Sequence, residues 1–219
     1  MATGRLTTIF AKKPAAGAVK TRLCPPLTPE QAAELALAML DDTVDKCLAS
    51  RAFLTSIRTS PEGQLPWFRE RYPGVSEVAE QEGEDLGERL ARHFERASRE
   101  HPDWTLACVG ADSPHVPAQR IEASHCALER GADLVLGPDR GGGYYLVATR
   151  HPRAELFTEV EMSTPGMCAR TIELARSFGL QVVLLEPDYD VDEPEDLRRL
   201  ARASPSLRSA ALAARYLSP

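Results

Sequence analysis

Short apolar segments alternate along this chain with longer segments of helical spacing. Strand-like segments, rich in β-branched and apolar residues, lie at 6–11, 52–57, 76–80, 104–109, 133–137, 144–149 and 181–185. Helix-like segments lie at 28–49, 66–72, 85–99, 117–130, 164–179, 194–203 and 204–216. This alternation predicts an α/β fold with a mostly parallel central sheet and helices on both faces, as one domain over residues 1–219.

The overall charge argues against two classes of partner. Against 32 acidic residues there are 26 lysines and arginines, so the net charge of −6 disfavours nucleic acid and anionic membrane surfaces. The five cysteines are far apart and form no CxxC pair, which is typical of reduced thiols in a cytosolic protein. We therefore expect a cytoplasmic protein without a membrane span. No sequence pattern predicts the oligomeric state.

The segment after the first strand concentrates positive charge. Residues 12–23 read KKPAAGAVKTRL, and their small residues let backbone N–H groups approach an anion closely. This pattern indicates a nucleotide's phosphates, although it matches neither the P-loop nor the GxGxxG motif. The alternative is a solvated basic surface loop. The candidate nucleotide-binding residues are Lys12, Lys13, Gly17, Lys20, Thr21 and Arg22.

Two groups of carboxylates follow or precede regular elements. Asp112 comes directly after the buried segment 104–109, and Asp190 and Asp192 precede the helix that begins at Pro194. Hard divalent cations prefer oxygen ligands, so we predict Mg²⁺ or Mn²⁺ at Asp112 and Asp192, with Asp190 left open as the second ligand. The alternatives are a turn aspartate at 112 and complementation of a helix dipole before 194. His115 is retained only as a neighbour of Asp112.

A glycine-rich bend, PDRGGGYY at 138–145, separates two strand-like segments. Its three glycines indicate backbone lying against a ligand, although a plain hairpin turn explains them about as well. We predict that this bend binds the acceptor substrate. The candidate residues are Asp139, Arg140, Gly142, Gly143 and Tyr144.

These motifs occur in an order that resembles a known family. They are FAKKPAAGAVKTRL at 10–23, EDLGERLARHF at 84–94, VGADSPHVP at 109–117, GGYYLV at 142–147, STP at 163–165 and DVDEPEDL at 190–197. Together they resemble the nucleotide-diphospho-sugar transferase superfamily, which has the GT-A fold. Within it, the chain resembles the radical-SAM/selenodomain-associated transferase family, described as glycosyltransferase-like and linked to arsenosugar biosynthesis. The resemblance implies a single GT-A (Rossmann-like) domain that uses a nucleotide donor.

More distantly, the chain is similar to 2-phospholactate guanylyltransferases and molybdenum-cofactor nucleotidyltransferases. Their first loop also ends in K-[ST]-R-L, and they carry an aspartate-rich segment like DVDEPEDL. This similarity implies that Lys13, Lys20 and Arg22 hold phosphates and that Asp112 binds metal with Asp192. Relatives in the closer family usually have an aspartate immediately before Gly-Gly-Tyr-Tyr, where this chain has Gly141.

Three functions are compatible with these residues. A nucleotidyltransferase would move an NMP from an NTP to a small phosphorylated or oxyanion acceptor and release pyrophosphate, with Lys20 and Asp112 as candidate catalytic residues. A glycosyltransferase would use a nucleotide-diphospho-sugar and an acceptor hydroxyl. A nucleotide-binding module would have no turnover. The four cations in residues 12–22 favour the triphosphate donor, because it carries more charge than a sugar diphosphate.

Overall fold

The computed structural model describes residues 4–218, and within that range the strands form one sheet of seven. The strands are β1 (Arg5–Lys12), β2 (Leu54–Ser60), β3 (Glu77–Glu80), β4 (Thr105–Gly110), β5 (Leu134–Pro138), β6 (Tyr144–Thr149) and β7 (Val182–Leu184). Their order across the sheet is β3-β2-β1-β4-β6-β5-β7. The neighbours β1, β2, β3 and β4 pair in parallel, as do β5 and β7, whereas β6 is antiparallel to both β4 and β5. The prediction of a mostly parallel sheet is confirmed.

The helices fill the connections between strands. They are α1 (Pro29–Ala49), α2 (Leu65–Arg71), α3 (Leu86–Glu100), α4 (Ala118–Glu129), α5 (Glu155–Thr158), α6 (Met167–Ser177), α7 (Pro194–Ala203) and α8 (Arg208–Leu217), with a 3-10 helix over Thr21–Leu23. The sequence signals at the start of α1 are borne out in detail. Thr28 and Gln31 form a reciprocal capping box, and Pro29 occupies the first helical position.

The sheet has an apolar core on each face. On one face, Ile9, Ile57 and Val109 belong to a buried cluster with side chains of α1, α2 and α4. On the other, Leu6 and Leu106 belong to a cluster with side chains of α3, α5 and α6. Because neighbouring residues of a strand point to opposite faces, these strands are buried on both sides, which explains their continuous apolar character. The predicted helical layers on both faces are therefore confirmed.

A third cluster joins α1, α7, α8 and the 3-10 helix at one end of the sheet. Leu23 of the 3-10 helix is fully buried there with Leu35 of α1 and Leu197 of α7. This packing fixes the C-terminal end of the basic loop, and it fixes the start of α7 nearby. The two charged segments that sequence analysis singled out are thus attached to a common apolar base.

The structure differs from the sequence prediction around residues 153–167. The short helix α5 was not predicted, and α6 begins at Met167 rather than at residue 164. The Thr164 hydroxyl donates a hydrogen bond to the Glu161 carbonyl instead of capping the helix, and Gly166 occupies the N-cap position. Residues 163–165 are therefore a loop that contacts the glycine-rich bend.

Across residues 4–218, none of the helices combines the length and apolar character that a membrane crossing requires.

Candidate active site

A cavity of about 1010 Å³ lies at the carboxyl ends of β1 and β4. This is the edge of an α/β sheet at which ligands ordinarily bind. Much of its wall comes from five segments that are far apart in sequence: the basic loop after β1, the turn after β4, the bend between β5 and β6, residues 163–165, and the segment before α7. Three of the segments proposed from charge, together with the glycine bend, therefore meet at one place.

Lys20 occupies the centre of the charged end of this cavity. Its backbone is in the left-handed region, with φ 48° and ψ 38°, immediately before the 3-10 helix. A lysine seldom adopts this conformation, because the Cβ atom is crowded there. The buried Leu23 holds the turn from its other end. The turn directs the Lys20 side chain inward, where 7 % of it is exposed.

The Lys20 ammonium bridges the two predicted metal ligands. Its Nζ lies 2.5 Å from Oδ1 of Asp112 and 2.9 Å from Oδ1 of Asp192. Burial alone lowers the pKa of Lys20, but the charges of Asp112 and Asp192 outweigh it and the net shift is upward. Lys20 therefore remains a cation at physiological pH. Its positive charge lies where the turn after β4 and the segment before α7 converge.

The acidic segment before α7 divides its carboxylates between two tasks. Asp196 accepts hydrogen bonds from the backbone N–H groups of Asp192 and Glu193, so it caps the helix as the dipole alternative predicted. The Asp192 side chain instead points to Lys20. Asp190 accepts a short hydrogen bond from the Ser113 hydroxyl. Helix capping thus accounts for the Asp196 side chain, whereas those of Asp190 and Asp192 have partners across the cavity wall.

Asp190 is the most perturbed carboxyl group of the cavity. Burial raises its pKa to about 7, and the nearby charges of Asp112, Asp139 and Asp192 act in the same direction, while the hydrogen bond from Ser113 opposes the rise. Asp192, by contrast, retains 43 % exposure of its side chain and shares the Lys20 ammonium with Asp112. Of the two carboxylates left open by sequence analysis, Asp192 is the one that shares the Lys20 ammonium with Asp112.

The charged end meets the requirements of a divalent cation only in part. Residues 4–218 contain no cluster of three or more histidine, cysteine or acidic side chains arranged to hold a metal. Asp112 and Asp192 nevertheless share one partner atom, and about half of each side chain is open to solvent. Mg²⁺ is commonly bound by one or two carboxylates together with substrate phosphates and water. The pair therefore fits a cation that a nucleotide helps to hold.

The other basic residues of the loop are distributed unevenly. Lys12, Thr21 and Arg22 line the cavity, and the Lys12 ammonium donates to the Ala18 carbonyl at 3.0 Å. The Lys13 ammonium lies 5.5 Å from the centroid of the Trp67 ring, in a cation–π contact. Neither Lys13 nor Gly17 is part of the cavity wall. Of the four cations predicted at this site, the structure brings three together.

The glycine bend is a tight connection between the antiparallel strands β5 and β6. The Asp139 side chain accepts a hydrogen bond from the Gly141 N–H, and the Asp139 N–H donates to the Gly143 carbonyl. Gly142 has φ 94°, and a Cβ atom there would lie 1.9 Å from the Pro165 carbonyl oxygen. Asp139, Arg140, Gly143 and Tyr144 line the cavity. Gly142 lies behind them, where it lets residues 163–165 pack against the bend.

Sequence analysis missed several residues of the cavity wall. Ser163, Thr164 and Pro165 line it, and Ser163 is in the left-handed region at φ 61°. The STP motif was visible in the sequence but carried no chemical signal. Gln81 also lines the wall, where its amide donates to the Arg58 carbonyl at 2.9 Å. A single glutamine after a short strand gives no pattern that could have identified it.

His115 does not join the cavity. Its ring stacks on Tyr189, with centroids 3.9 Å apart, and its Nε2 lies 2.9 Å from Oδ1 of Asp188. Burial lowers the pKa of His115, against the opposing effect of Asp188. Its contacts support the packing of the segment before α7.

Comparison with known proteins assigns this chain to a family. Residues 43–164, more than half of the chain, match a family described as an uncharacterized protein conserved in bacteria, DUF2064. This chain belongs to the DUF2064 family. A phosphoenolpyruvate guanylyltransferase from Sphaerobacter thermophilus is 33 % identical over 85 % of this chain and 88 % of that protein. A 2-phospho-L-lactate guanylyltransferase from Haloarcula marismortui is 30 % identical over 81 % and 77 % of the two chains.

Solved structures agree with the topology. A crystal structure from Desulfovibrio desulfuricans G20, described provisionally as a nucleotide-diphospho-sugar transferase, superposes with a TM-score of 0.88 at 26 % identity, over 98 % of this chain and 95 % of that one. The CTP complex of CMP:2-keto-3-deoxy-manno-octonic acid synthetase has a TM-score of 0.57 at 12 % identity, over 98 % and 100 %, which shows a shared fold alone. This DUF2064 protein is thus a transferase of the nucleotidyltransferase-like superfamily. The narrower resemblance to radical-SAM-associated transferases stays a prediction.

Proposed function

We propose that this DUF2064 protein is a metal-dependent guanylyltransferase. It would transfer GMP from GTP to a small phosphorylated carboxylic acid and release pyrophosphate. The observation that carries the proposal is the Lys20 ammonium between Asp112 and Asp192 at one end of the cavity. The names of the two curated relatives support GTP as donor and a phosphorylated three-carbon acid, phosphoenolpyruvate or 2-phospholactate, as acceptor.

In this proposal, a phosphate oxygen of the acceptor attacks the α-phosphorus of GTP and forms a new P–O bond. The bond between the α-phosphorus and the bridging oxygen breaks, and pyrophosphate leaves with that electron pair. Lys20 would offset the negative charge of the phosphates, as would Lys12 and Arg22 on the same wall. The bend with Asp139, Arg140, Gly143 and Tyr144 would orient the acceptor for attack.

Asp112 and Asp192 would hold the cofactor, Mg²⁺ or Mn²⁺. When bound, such an ion supplies Lewis-acid stabilisation of phosphate oxygens. The remaining contributions come from Asp112 and Asp192 themselves. They fix the charged end against the sheet, keep Lys20 protonated, and leave about half of each carboxylate open toward the cavity.

The cation count in the sequence favours a triphosphate less strongly once the positions are known. Lys13 lies over Trp67, and Lys20 is already paired with two carboxylates. Fewer unpaired positive charges therefore face the cavity than the loop sequence suggests. The preference for an NTP now depends mainly on the guanylyltransferase relatives.

A glycosyltransferase is the second candidate, favoured by the Desulfovibrio structure described as a nucleotide-diphospho-sugar transferase. In that case the same charged end would hold the diphosphate of a sugar nucleotide, and an acceptor hydroxyl would attack the anomeric carbon. A binding module without turnover is the third. The donor panel below separates all three.

The test is pyrophosphate release from each common NTP with Mg²⁺ and with phosphoenolpyruvate or 2-phospholactate as acceptor. We expect release with GTP that requires both acceptor and metal. Chelation by EDTA should stop it, and added Mn²⁺ should restore it. Silence with every NTP, together with GDP or UDP release from sugar nucleotides, would overturn the proposal in favour of glycosyl transfer. Silence with both donor classes would favour the binding module.

A further inference from the structure

Lys46 of α1 lies beneath the turn that carries Asp112. Its ammonium donates to three backbone carbonyls of that turn, at 3.2 Å to Ser113, 3.0 Å to Pro114 and 2.7 Å to Val116. An ammonium group has three N–H donors, and all of them are used here. Burial lowers the pKa of Lys46 to about 8, against the opposing charges of Cys47, Asp42 and Asp188. Because these hydrogen bonds of Lys46 all go to backbone oxygens of one turn, they stabilise the conformation of that turn.

Backbone carbonyls of the turn after β4 accept hydrogen bonds from a donor outside the turn. Pro114 and Pro117 have no N–H, so this segment can form few hydrogen bonds within itself. The Val116 N–H donates to the Ser113 carbonyl at 3.2 Å, and the same carbonyl accepts from the Lys46 ammonium. The side chain of His115 is engaged with Asp188. Lys46 therefore supplies donors that the sequence of the turn does not.

The same turn also holds the segment that carries Asp192. The Asp112 carbonyl accepts from the Val191 N–H at 2.9 Å. The Ser113 hydroxyl oxygen lies 3.0 Å from the Tyr189 carbonyl oxygen and also contacts the Asp190 carboxyl, so its one proton is shared between these two acceptors. The carboxylates of Asp112 and Asp192 are themselves about half exposed, so their positions depend on where the backbone places them as well as on the ion pairs with Lys20.

We propose that Lys46 is a positioning residue for the metal–phosphate site. It holds residues 113–116 and, through them, sets the Asp112 carboxylate opposite Asp192. The proposal rests on the proposed function, because it assumes that these carboxylates bind a divalent cation. Residues that orient metal ligands commonly contribute about 10- to 100-fold to metal affinity or activity.

The chain offers a matched control one helical turn earlier. Asp42, also on α1, is buried and accepts hydrogen bonds from the N–H groups of Arg208 and Ser209 and from the Ser209 hydroxyl. It is a polar anchor of the same helix, but it holds the start of α8 and does not contact the cavity turn. Because the Asp42 charge also favours the protonated form of Lys46, the variants are compared at about pH 6, well below the pKa of Lys46. Asp42→Asn should then weaken the fold without moving Asp112.

The experiment compares Lys46→Met and Asp42→Asn with the wild-type protein. Binding of Mn²⁺ is measured by electron paramagnetic resonance in the presence of GTP and without acceptor, and kcat and KM for GTP are measured separately. We expect Lys46→Met to weaken Mn²⁺ binding about 10-fold or more and to lower kcat more than it changes KM. Asp42→Asn should lower the melting temperature while Mn²⁺ affinity stays within about twofold of wild type. Lys46→Gln keeps two N–H donors on a shorter side chain and should show a smaller loss, which keeps the test decisive if Lys46→Met does not fold.

Wild-type-like Mn²⁺ affinity in a folded Lys46 variant would overturn the positioning role and leave the proposed function intact. Equal losses in Lys46→Met and Asp42→Asn would also overturn it, because a general loss of stability would then explain both. A wild-type protein that transfers GMP but binds no Mn²⁺ in the presence of GTP would contradict the carboxylate pair as a metal site, and the role of Lys46 with it.

Discussion

The two ends of the cavity are built in different ways. At the charged end, Lys20, Asp112 and Asp192 come from three separate segments and meet through ion pairs. At the glycine bend, residues 139–143 and 163–165 meet through backbone contact, with Gly142 against the Pro165 carbonyl and the Cys168 N–H donating to the Gly142 carbonyl. One end depends on side-chain charge and the other on the absence of side chains.

This difference has a functional consequence within the proposal. The charged end suits a ligand whose highly charged part stays the same, such as a nucleotide's phosphates. An end made of backbone shape suits a smaller ligand that differs between relatives. The predictions below test that division, in order of decreasing effect.

The largest effect is expected from Asp112→Asn. The variant removes one carboxylate charge, yet Lys20 keeps Asp192 as a partner. Turnover should fall about 10²- to 10³-fold, because charge on the phosphates would lose its stabilisation. The melting temperature should change by only a few degrees. Unchanged turnover in a folded variant would remove Asp112 from the site.

The second prediction concerns the bend. Gly142→Ala places a Cβ atom 1.9 Å from the Pro165 oxygen on a residue with φ 94°. We expect a loss of about 2–3 kcal/mol in the free energy of unfolding, with a raised KM for the acceptor and a smaller change in KM for GTP.

Gly131→Ala is the matched control for Gly142→Ala. Gly131 has a similar φ of 105°, but a Cβ atom there would meet nothing within 4 Å. It should therefore lose about 1 kcal/mol from backbone strain alone and keep both KM values. Equal losses in the two variants, measured by urea denaturation, would show that the contact with Pro165 has no role.

The two ends also differ in how far sequence could anticipate them. The strand–helix alternation predicted most of the fold, and the capping box at Thr28 predicted the start of α1. Both are local signals in the sequence. The charged end was predicted because lysine and aspartate have specific chemistry beside strand ends. Three contacts required the structure: that of Pro165 with Gly142, the cation–π contact of Lys13, and the hydrogen bonds of Lys46 to the turn after β4. Each depends on which parts of the chain lie close together in the fold. The spacing of residues along the sequence does not give that information.

A third prediction concerns the sheet that supports both ends. His125 is fully buried between Thr7 of β1 and Thr105 of β4, and His93 is buried on α3. Burial lowers the pKa of each to about 3 from an ordinary value of 6.5, with further lowering by Arg5 near His125 and by Arg58 and Arg96 near His93. Between pH 6.5 and about 3 the unfolded chain therefore binds protons that the folded chain does not.

Stability should consequently fall as the pH decreases through this window. Each histidine contributes up to about 1.4 kcal/mol per pH unit to the slope, and Asp190, whose pKa is raised to about 7, acts in the opposite direction and offsets about one histidine. Urea titrations at pH 7, 6 and 5 measure it, and His93→Leu should remove one histidine's share. A free energy of unfolding that does not change between pH 7 and 5 would contradict the buried, neutral state of both rings. GTP binding that is lost at a pH where the fold persists would instead place the acid-sensitive step at the charged end.

The smallest effect is expected from Lys13 of the basic loop, with Lys20 as its comparison. Lys13→Ala should change KM for GTP by less than about threefold, because the side chain contacts Trp67 outside the cavity. Lys20→Ala should raise it by at least tenfold, because it removes a buried charge and leaves Asp112 and Asp192 facing one another. Steady-state kinetics on the pair measures both. Equal effects would show that Lys13 turns to the phosphates when nucleotide binds.

The central claim is that the charged end binds nucleotide phosphates together with a divalent cation. Isothermal titration calorimetry of GTP into the wild-type protein, with Mg²⁺ and then with EDTA, tests it most directly. We expect binding with Mg²⁺ that weakens by at least about tenfold on chelation, and the same weakening in Asp192→Asn with metal present. Equal GTP affinity in all three conditions would contradict the claim.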